Sequence, residues 1–391
     1  MGGKLYAITS VGPVSSLHDR ACELYYALRG GIVDYGAQHA EENGHARYGR
    51  THEQGLYPEW SREKPLHFLG HSMGGPTIIK LQWLISIDFF SDTDHSDMLL
   101  SITTISAPFR GSQAVYALGE RTDKPPSVRP FSVGAMIAKF VHVASYFSPF
   151  LPAVLDFHAD ARSLSCYTSD FWTLVKHLWH SDWAEGRDAS PFDVTFQASD
   201  HREAHLEGLV NPKTFYRSYA TCMTERSSVN WGFHIPRIKS VIYVPGLYAL
   251  SRAMGMFDFS VVNPTPDCVK KSKLDSEYFE NSSGSEVDTK GKTQEALWAN
   301  DGVVPLFSQW HPLSCSTTHC RHYARALGDT SHKQDLAAVQ SGLWHVYHID
   351  DANHISLAPI WFGTSRQKAL WREVGQWLRN IDVSSGFQQR P

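Results

Sequence analysis

The feature that most restricts how this chain folds is Gly70-His71-Ser72-Met73-Gly74-Gly75. It stands between a short apolar run, Leu66-His67-Phe68-Leu69, and a helix-forming stretch from Pro76 to Ile87. Glycines at 70 and 74 permit a sharp strand-to-helix turn and close approach of the neighbouring elements. Such a turn lifts the Ser72 hydroxyl clear of the sheet. The surrounding pattern repeats the same alternation. Leu5 to Val11 reads as a buried strand ended by Gly12-Pro13. A helix follows from about Asp19 to Leu28, stopped by Gly30-Gly31. Leu99 to Ile105 reads as a short β-branched strand. Strand, helix, strand, helix, strand predicts a mostly parallel sheet with helices on both faces. Further strands are expected at Thr214–Cys222, Val241–Val244 and His345–Ile349, and residues 34–60, rich in His, Gly and charge, read as loop.

With 391 residues, 42% of them apolar, the chain can bury one large core, and we expect a single domain with insertions. The net charge of −4 and the lack of any Lys/Arg run argue against a nucleic-acid partner. No apolar stretch reaches the roughly 18–20 residues of a membrane-spanning helix. The longest, Met136 to Leu155, is broken by Lys139, His142 and Pro149, among others. The start, Met1-Gly2-Gly3-Lys4-Leu5, lacks the plan of a signal peptide. Six cysteines without a CxxC pair permit disulfides, with Cys315 and Cys320 the best placed. Asn281-Ser282-Ser283 is a glycosylation sequon within residues 266–295, a polar, charged stretch expected to be a flexible surface insertion.

A serine hydroxyl becomes a nucleophile when a base takes its proton and a carboxylate orients the base. On a sheet of this kind the chain order is Ser, then Asp or Glu, then His. Asp301, in Asn300-Asp301-Gly302, and His354, in Asn353-His354-Ile355, follow Ser72 in that order. Asn-Asp-Gly is also an ordinary turn signal, and the chain holds 21 histidines. Asp350 and Asp351 compete as the acid but lie very near His354 in sequence. The Met73 N–H, at the start of the following helix, is the expected oxyanion donor.

Several runs resemble the zinc-containing thermoalkalophilic bacterial lipases and their staphylococcal relatives. They are Val11-Gly12-Pro13-Val14-Ser15-Ser16, Asp19-Arg20-Ala21-Cys22-Glu23, Gly30-Gly31-Ile32-Val33-Asp34-Tyr35-Gly36 and Gly44-His45-Ala46-Arg47-Tyr48-Gly49-Arg50. The turn around Ser72, Ser101 to Pro108, Ala299 to Val303 and Asn353-His354 continue the likeness. It is dense over residues 11–112 and patchy from about 120 to 290. The resemblance implies an α/β-hydrolase fold with a triad of Ser72, Asp301 and His354. It implies a structural zinc held by Asp19, His39, His45 and Asp188, in an extra region made of residues 17–60 and about 155–212. Without it, Asp19 reads equally well as the N-cap of its helix. The resemblance also implies a lid over residues 119–154; within it the stretch from 131 is apolar on a helical pattern at Val133, Met136, Ile137, Phe140, Val141, Ala144 and Phe147, which by periodicity alone also suits an ordinary core helix. A lid implies lipid esters such as triacylglycerols as substrate, met at a lipid–water interface.

Two departures qualify the likeness. The family opens with a strand and a His-Gly-Phe-type loop that supplies a second oxyanion N–H, and neither precedes Leu5 here. We expect a truncated reading of a longer gene, whose product would be secreted; a catalytically compromised, zinc-stabilised homologue is the alternative. The family also carries a calcium-ligating Glu two residues after the catalytic His, where this chain has Ser356, so that calcium site is expected to be absent. A short-chain esterase or acyltransferase uses the same constellation.

Overall fold

The computed structural model describes residues 6–152, 155–179, 183–228, 233–237, 244–270, 295–324, 339–360 and 363–386. Beside four further helices (Gln113–Leu118, Ser190–Asp193, Phe196–Ala204 and Pro245–Gly255), its main elements in chain order are α1 (Leu17–Arg29), β1 (Gly31–Asp34), α2 (Ala37–Asn43), β2 (Tyr48–His52), β3 (Leu66–His71), α3 (Gly74–Ser86), β4 (Leu99–Ile105), α4 (Val133–Tyr146), α5 (Phe171–Trp179), β5 (Phe215–Cys222), β6 (Thr224–Arg226), β7 (His234–Pro236), β8 (Cys320–Ala324), β9 (Trp344–Asp350) and α6 (Ser365–Ser385). They fall into two compact units. One comprises Met1–Lys64, Lys80–His95 and Leu118–Asp193; the other comprises Pro65–Ile79, Ser96–Ala117 and Val194–Pro391.

The second unit is built on a five-stranded sheet in the order β3-β4-β5-β9-β8, every neighbouring pair parallel. β4 and β5 are buried along their whole length. Both are rich in the β-branched and aromatic residues that suit an interior parallel strand. β5 buries a charge as well. The Arg217 guanidinium stacks 3.8 Å from the Trp377 ring and 4.5 Å from the Tyr347 ring, and lies 3.6 Å from Glu373. Glu373 and Trp377 come from α6, which covers one face of the sheet. Leu370 and Val374 pack with Ile105, Tyr219, Tyr347 and Ile349, while Trp377 and Ile381 pack with Leu100 and Phe215. These four helix residues are spaced by four, three and four, so one stripe of an otherwise polar helix is buried. Each contributes about 1.5–3 kcal/mol when fully buried. The Thr364 hydroxyl caps the first turn and Gly386, left-handed at φ 73°, ends the helix. The strand expectations at 66–69, 99–105, 214–222 and 345–349 match β3, β4, β5 and β9. That at 241–244 falls largely outside the described residues, as do most of residues 266–295 and the sequon.

In the first unit α1 begins at Leu17, and its cap is Ser16, whose Oγ accepts from the Asp19 N–H at 3.2 Å. Asp19 is therefore inside the helix and not its N-cap. Residues 34–60 are not simply loop: α2 lies within them, and β2 pairs antiparallel with β1. The strand expected at 5–11 does not form in its described residues. Tyr6 and Ile8 are largely exposed, and the segment belongs to none of the sheets. An apolar run becomes a strand only where a partner takes its backbone hydrogen bonds.

α4 is capped by Ser132, whose hydroxyl accepts from the Ala135 N–H. Its Ala138 and Val141 pack with Leu164, Trp183, Ala184 and Ala189. Its other face carries Val133, Met136, Ile137, Phe140 and Phe147, all exposed. α5 packs beside it through stacked His142 and His177 rings and exposes Phe171, Trp172 and Trp179. Among the described residues no helix is long and apolar enough to cross a membrane.

Candidate active site

β3 ends at His71, α3 starts at Gly74, and Ser72 stands in the turn between them with φ 53°. A non-glycine residue in the left-handed region is strained, so the surroundings must hold it there. They do so through the backbone. The Ser72 N–H donates to Ile105 O on the adjacent strand, and the Gly75 N–H donates back to Ser72 O, each at 3.0 Å. Two glycines make room for the turn. A Cβ on Gly70 would lie 2.5 Å from the Gly74 carbonyl carbon, and one on Gly75 would lie 2.5 Å from the Ala107 Cβ. A Cβ on Gly74 would meet nothing within 4 Å. The close approach expected of positions 70 and 74 is thus made by positions 70 and 75.

The structure brings Ser72, His354 and Asp301 together. Ser72 Oγ is 3.0 Å from His354 Nε2, and His354 Nδ1 is 2.9 Å from Asp301 Oδ2. A carboxylate only accepts, which puts the ring proton on Nδ1 and leaves the Nε2 lone pair facing the serine. Asp301 is fully buried. Its Oδ1 accepts from the N–H groups of Val303 and Val304 at 3.0 and 2.8 Å, and its Oδ2 also accepts from the Thr221 hydroxyl at 2.9 Å. Burial alone would raise this carboxyl; the His354 charge and hydrogen bond and the two amides outweigh it and hold the group below its ordinary range. The backbone adds a further tie, from the His354 N–H to Asp301 O at 2.8 Å. Asp350 and Asp351 do not reach the serine's base. Both are exposed, and Asp351 pairs with Arg237.

Three residues beyond the sequence candidates shape this site. His71 Nε2 donates to His354 O at 2.8 Å; burial first, and the His354 charge second, lower its pKa to about 4, so the ring is neutral. Gln309 accepts from the Thr221 N–H and donates to the carbonyls of Thr221 and Val304, tying β5 to the Asp301 turn. Thr221 supplies the hydroxyl to Asp301. Only His71 lay within a motif, as the residue before Ser72; nothing in the spacing marked the other two. Ser356 Oγ donates to Asn353 Oδ1 at 2.7 Å and accepts from the Asn353 N–H, closing the turn beside His354.

Asp19, His39, His45 and Asp188 form a compact group in the first unit, one donor atom of each lying within 4.8 Å of the others. His39 Nε2 is 3.1 Å from Asp19 Oδ1 and 3.2 Å from Asp188 Oδ1; His45 Nε2 is 3.4 Å from Asp188 Oδ2. A tetrahedral zinc with bonds near 2.0–2.1 Å sets donor separations of about 3.3 Å, which these distances meet. His45 Nδ1 donates to Ala46 O at 2.8 Å, so Nε2 keeps a lone pair, and that atom is buried with no hydrogen-bond partner. The residues fit a metal ion. Arg162 bonds both carboxylates from one side and offsets part of their charge.

Residues 2–89 match the family model "Lipase-like, C-terminal domain". The chain is 28% identical over 329 residues to a lipase of Staphylococcus hyicus, an alignment covering 77% of this chain and 45% of that protein. It is 40% identical over 243 residues to lipase 1 of Staphylococcus aureus, covering 58% of this chain and 33% of the relative. It therefore spans less than half the length of these curated relatives. Among solved structures it is similar to S. hyicus lipase, with a TM-score of 0.69 at 22% identity over 96% of this chain and 85% of that one. EstA from Clostridium botulinum gives 0.63 at 23% identity over 95% and 77% of the two chains. The resemblance to staphylococcal lipases is borne out. So is the α/β-hydrolase fold, a parallel sheet flanked by helices that these structures share.

Proposed function

We propose that this chain is a carboxylic ester hydrolase of the lipase type that works through an acyl-enzyme on Ser72. The observation that carries this reading is the chain of two hydrogen bonds from Ser72 through His354 to a buried, ionised Asp301. His354 Nε2 takes the hydroxyl proton as Ser72 Oγ attacks the ester carbonyl. The Met73 N–H, at the start of α3, donates to the oxyanion, where the helix dipole favours negative charge. The protonated His354 passes its proton to the departing alcohol. Water then attacks the acyl-serine, with the same nitrogen as base, and releases the fatty acid. Asp301 keeps the imidazole in the required tautomer and stabilises it while it is charged. Against the pull of burial, the His354 charge and hydrogen bond and the amides of Val304 and Val303 keep that carboxylate ionised.

Asp19, His39, His45 and Asp188 would hold zinc in this reading. All four positions are filled by protein groups, so the ion's part is to fasten α1 to α2 and to the segment around Asp188 and not to activate water. The exposed apolar faces of α4 and α5 support a lipid ester as substrate. Met136, Phe140, Trp172 and Trp179 offer apolar area that a lipid–water interface would bury.

The test is labelling with a fluorophosphonate serine-hydrolase probe, beside Ser72→Ala, followed by a series of p-nitrophenyl esters of rising chain length. Labelling that disappears in the variant, with hydrolysis favouring long acyl chains, supports the proposal. Absence of labelling in the unaltered protein would overturn the hydrolase reading, and a preference for acetate over long chains would overturn the lipase one.

A further inference from the structure

His311, Cys315, Cys320 and His322 form a second compact group, in the sheet-containing unit and apart from the hydrolytic residues. One donor atom of each lies within 4.8 Å of all the others. Cys315 Sγ is 3.4 Å from His311 Nε2 and 3.9 Å from His322 Nε2. Zinc bound at about 2.3 Å to sulfur and about 2.0–2.1 Å to nitrogen sets tetrahedral donor separations of about 3.3–3.8 Å. His311, Cys315 and His322 are buried and Cys320 is partly so; all the cysteines are free thiols.

The imidazoles are turned as ligands would be. His311 Nδ1 lies 2.7 Å from Leu313 O. A carbonyl only accepts, so Nδ1 carries the proton and the Nε2 lone pair faces the group. His322 Nδ1 lies 2.9 Å from His348 Nε2, which leaves its own Nε2 turned toward Cys315. Partners on the far nitrogen are what fix the tautomer and aim of metal-binding histidines. Trp310 and the His322 ring pack at right angles, 4.9 Å between centroids, giving the group an apolar wall. A Cys315–Cys320 disulfide, the pairing favoured by sequence spacing, would use two of the four donors and leave both oriented imidazole nitrogens unused.

We infer that His311, Cys315, Cys320 and His322 bind a zinc ion as a structural site distinct from the group of Asp19, His39, His45 and Asp188. Two thiolates and two neutral imidazoles give a closed tetrahedral shell with no open position, the form that stabilises folds. The ion fastens the loop that follows Gln309 to β8, an edge strand of the five-stranded sheet. It thereby also secures the residue that ties β5 to the Asp301 turn.

The two groups differ in sulfur content, and that difference makes the test. Full-length protein expressed with zinc and purified without chelator should contain two zinc ions per chain, and its X-ray absorption should show zinc–sulfur scattering at about 2.3 Å. Cobalt-substituted protein should show an intense thiolate-to-cobalt charge-transfer band. Cys315→Ala/Cys320→Ala should lose that band and one metal, while Asp19→Asn should lose one metal and keep the band. The absorption measurements need no variant, so a variant that fails to fold leaves the test intact. Protein lacking both sulfur scattering and the band, or peptide mapping that finds Cys315 bonded to Cys320 in the purified protein, would overturn the inference.

Discussion

The hydroxyl of Thr221 donates to Asp301 Oδ2 from 2.9 Å, at the end of the central strand and out of contact with solvent. Among the described residues it is the one side-chain hydroxyl bonded to the acid that orients His354, and it receives a hydrogen bond in turn from Ser106 Oγ at 2.7 Å. Thr221→Val keeps the shape and removes the donor. A hydrogen bond to a charged group contributes about 1.5–3 kcal/mol, so kcat/KM for ester hydrolysis should fall roughly 10- to 100-fold. The loss should fall on kcat more than on KM. An unchanged kcat in steady-state ester assays would reduce Thr221 to a satisfied core residue.

Gly74 and Gly75 are neighbours with opposite tolerance. Gly75→Ala drives a Cβ to 2.5 Å from Ala107, on the backbone that follows β4, whereas Gly74→Ala places one in open space. The first should cost several kcal/mol or prevent folding, since the strained turn cannot shift without displacing Ser72. The second should leave stability within about 0.5 kcal/mol. Chemical denaturation of both variants checks the contrast; equal losses would show that the approach of α3 to Ala107 is looser than described.

Glu120 is buried, one of its oxygens has no hydrogen-bond partner among the described residues, and burial followed by the charge of Glu185 raises its pKa to about 8. The sign follows from the raised value. Below its ordinary pKa the group is protonated in both folded and unfolded chains and costs nothing. As pH climbs toward 8 only the unfolded chain releases the proton, so the fold loses stability across that window. Glu120→Gln removes the titration. Its melting temperature should exceed that of the unaltered protein by roughly 5 °C at pH 8, the gap closing near pH 4. A gap that does not change with pH would remove charge burial as its cause.

How much was readable in advance depended on how local the determinants were. The turn at Ser72 is specified by adjacent glycines, and β4 and β5 by continuous runs of buried side chains, so each could be read from a few residues. Asp301 and His354 could be ordered along the chain, but their meeting depends on β5 and β9 lying side by side. The 5–11 segment failed for the opposite reason: its pattern suits a strand, yet its described residues, 6–11, pair with none of the sheets. α2 and β2 were hidden because their region is polar, and β2 exists through its pairing with β1. The buried stripe of α6 follows a helical period but is diluted by charged neighbours. The spacing of His311, Cys315, Cys320 and His322 matches no familiar motif, because the convergence is produced by the loop that leads into β8.

Arg217 carries a full charge into the middle strand of the sheet, and its counter-charge, Glu373, lies on α6. An unpaired guanidinium in that position is strongly destabilising, and its aromatic cover, Trp377, comes from the same helix. During synthesis the chain therefore reaches its central strand long before it owns the groups that make that strand tolerable. A nascent chain halted ahead of α6 cannot close this core, and for these residues the sheet becomes stable only after α6 has left the ribosome.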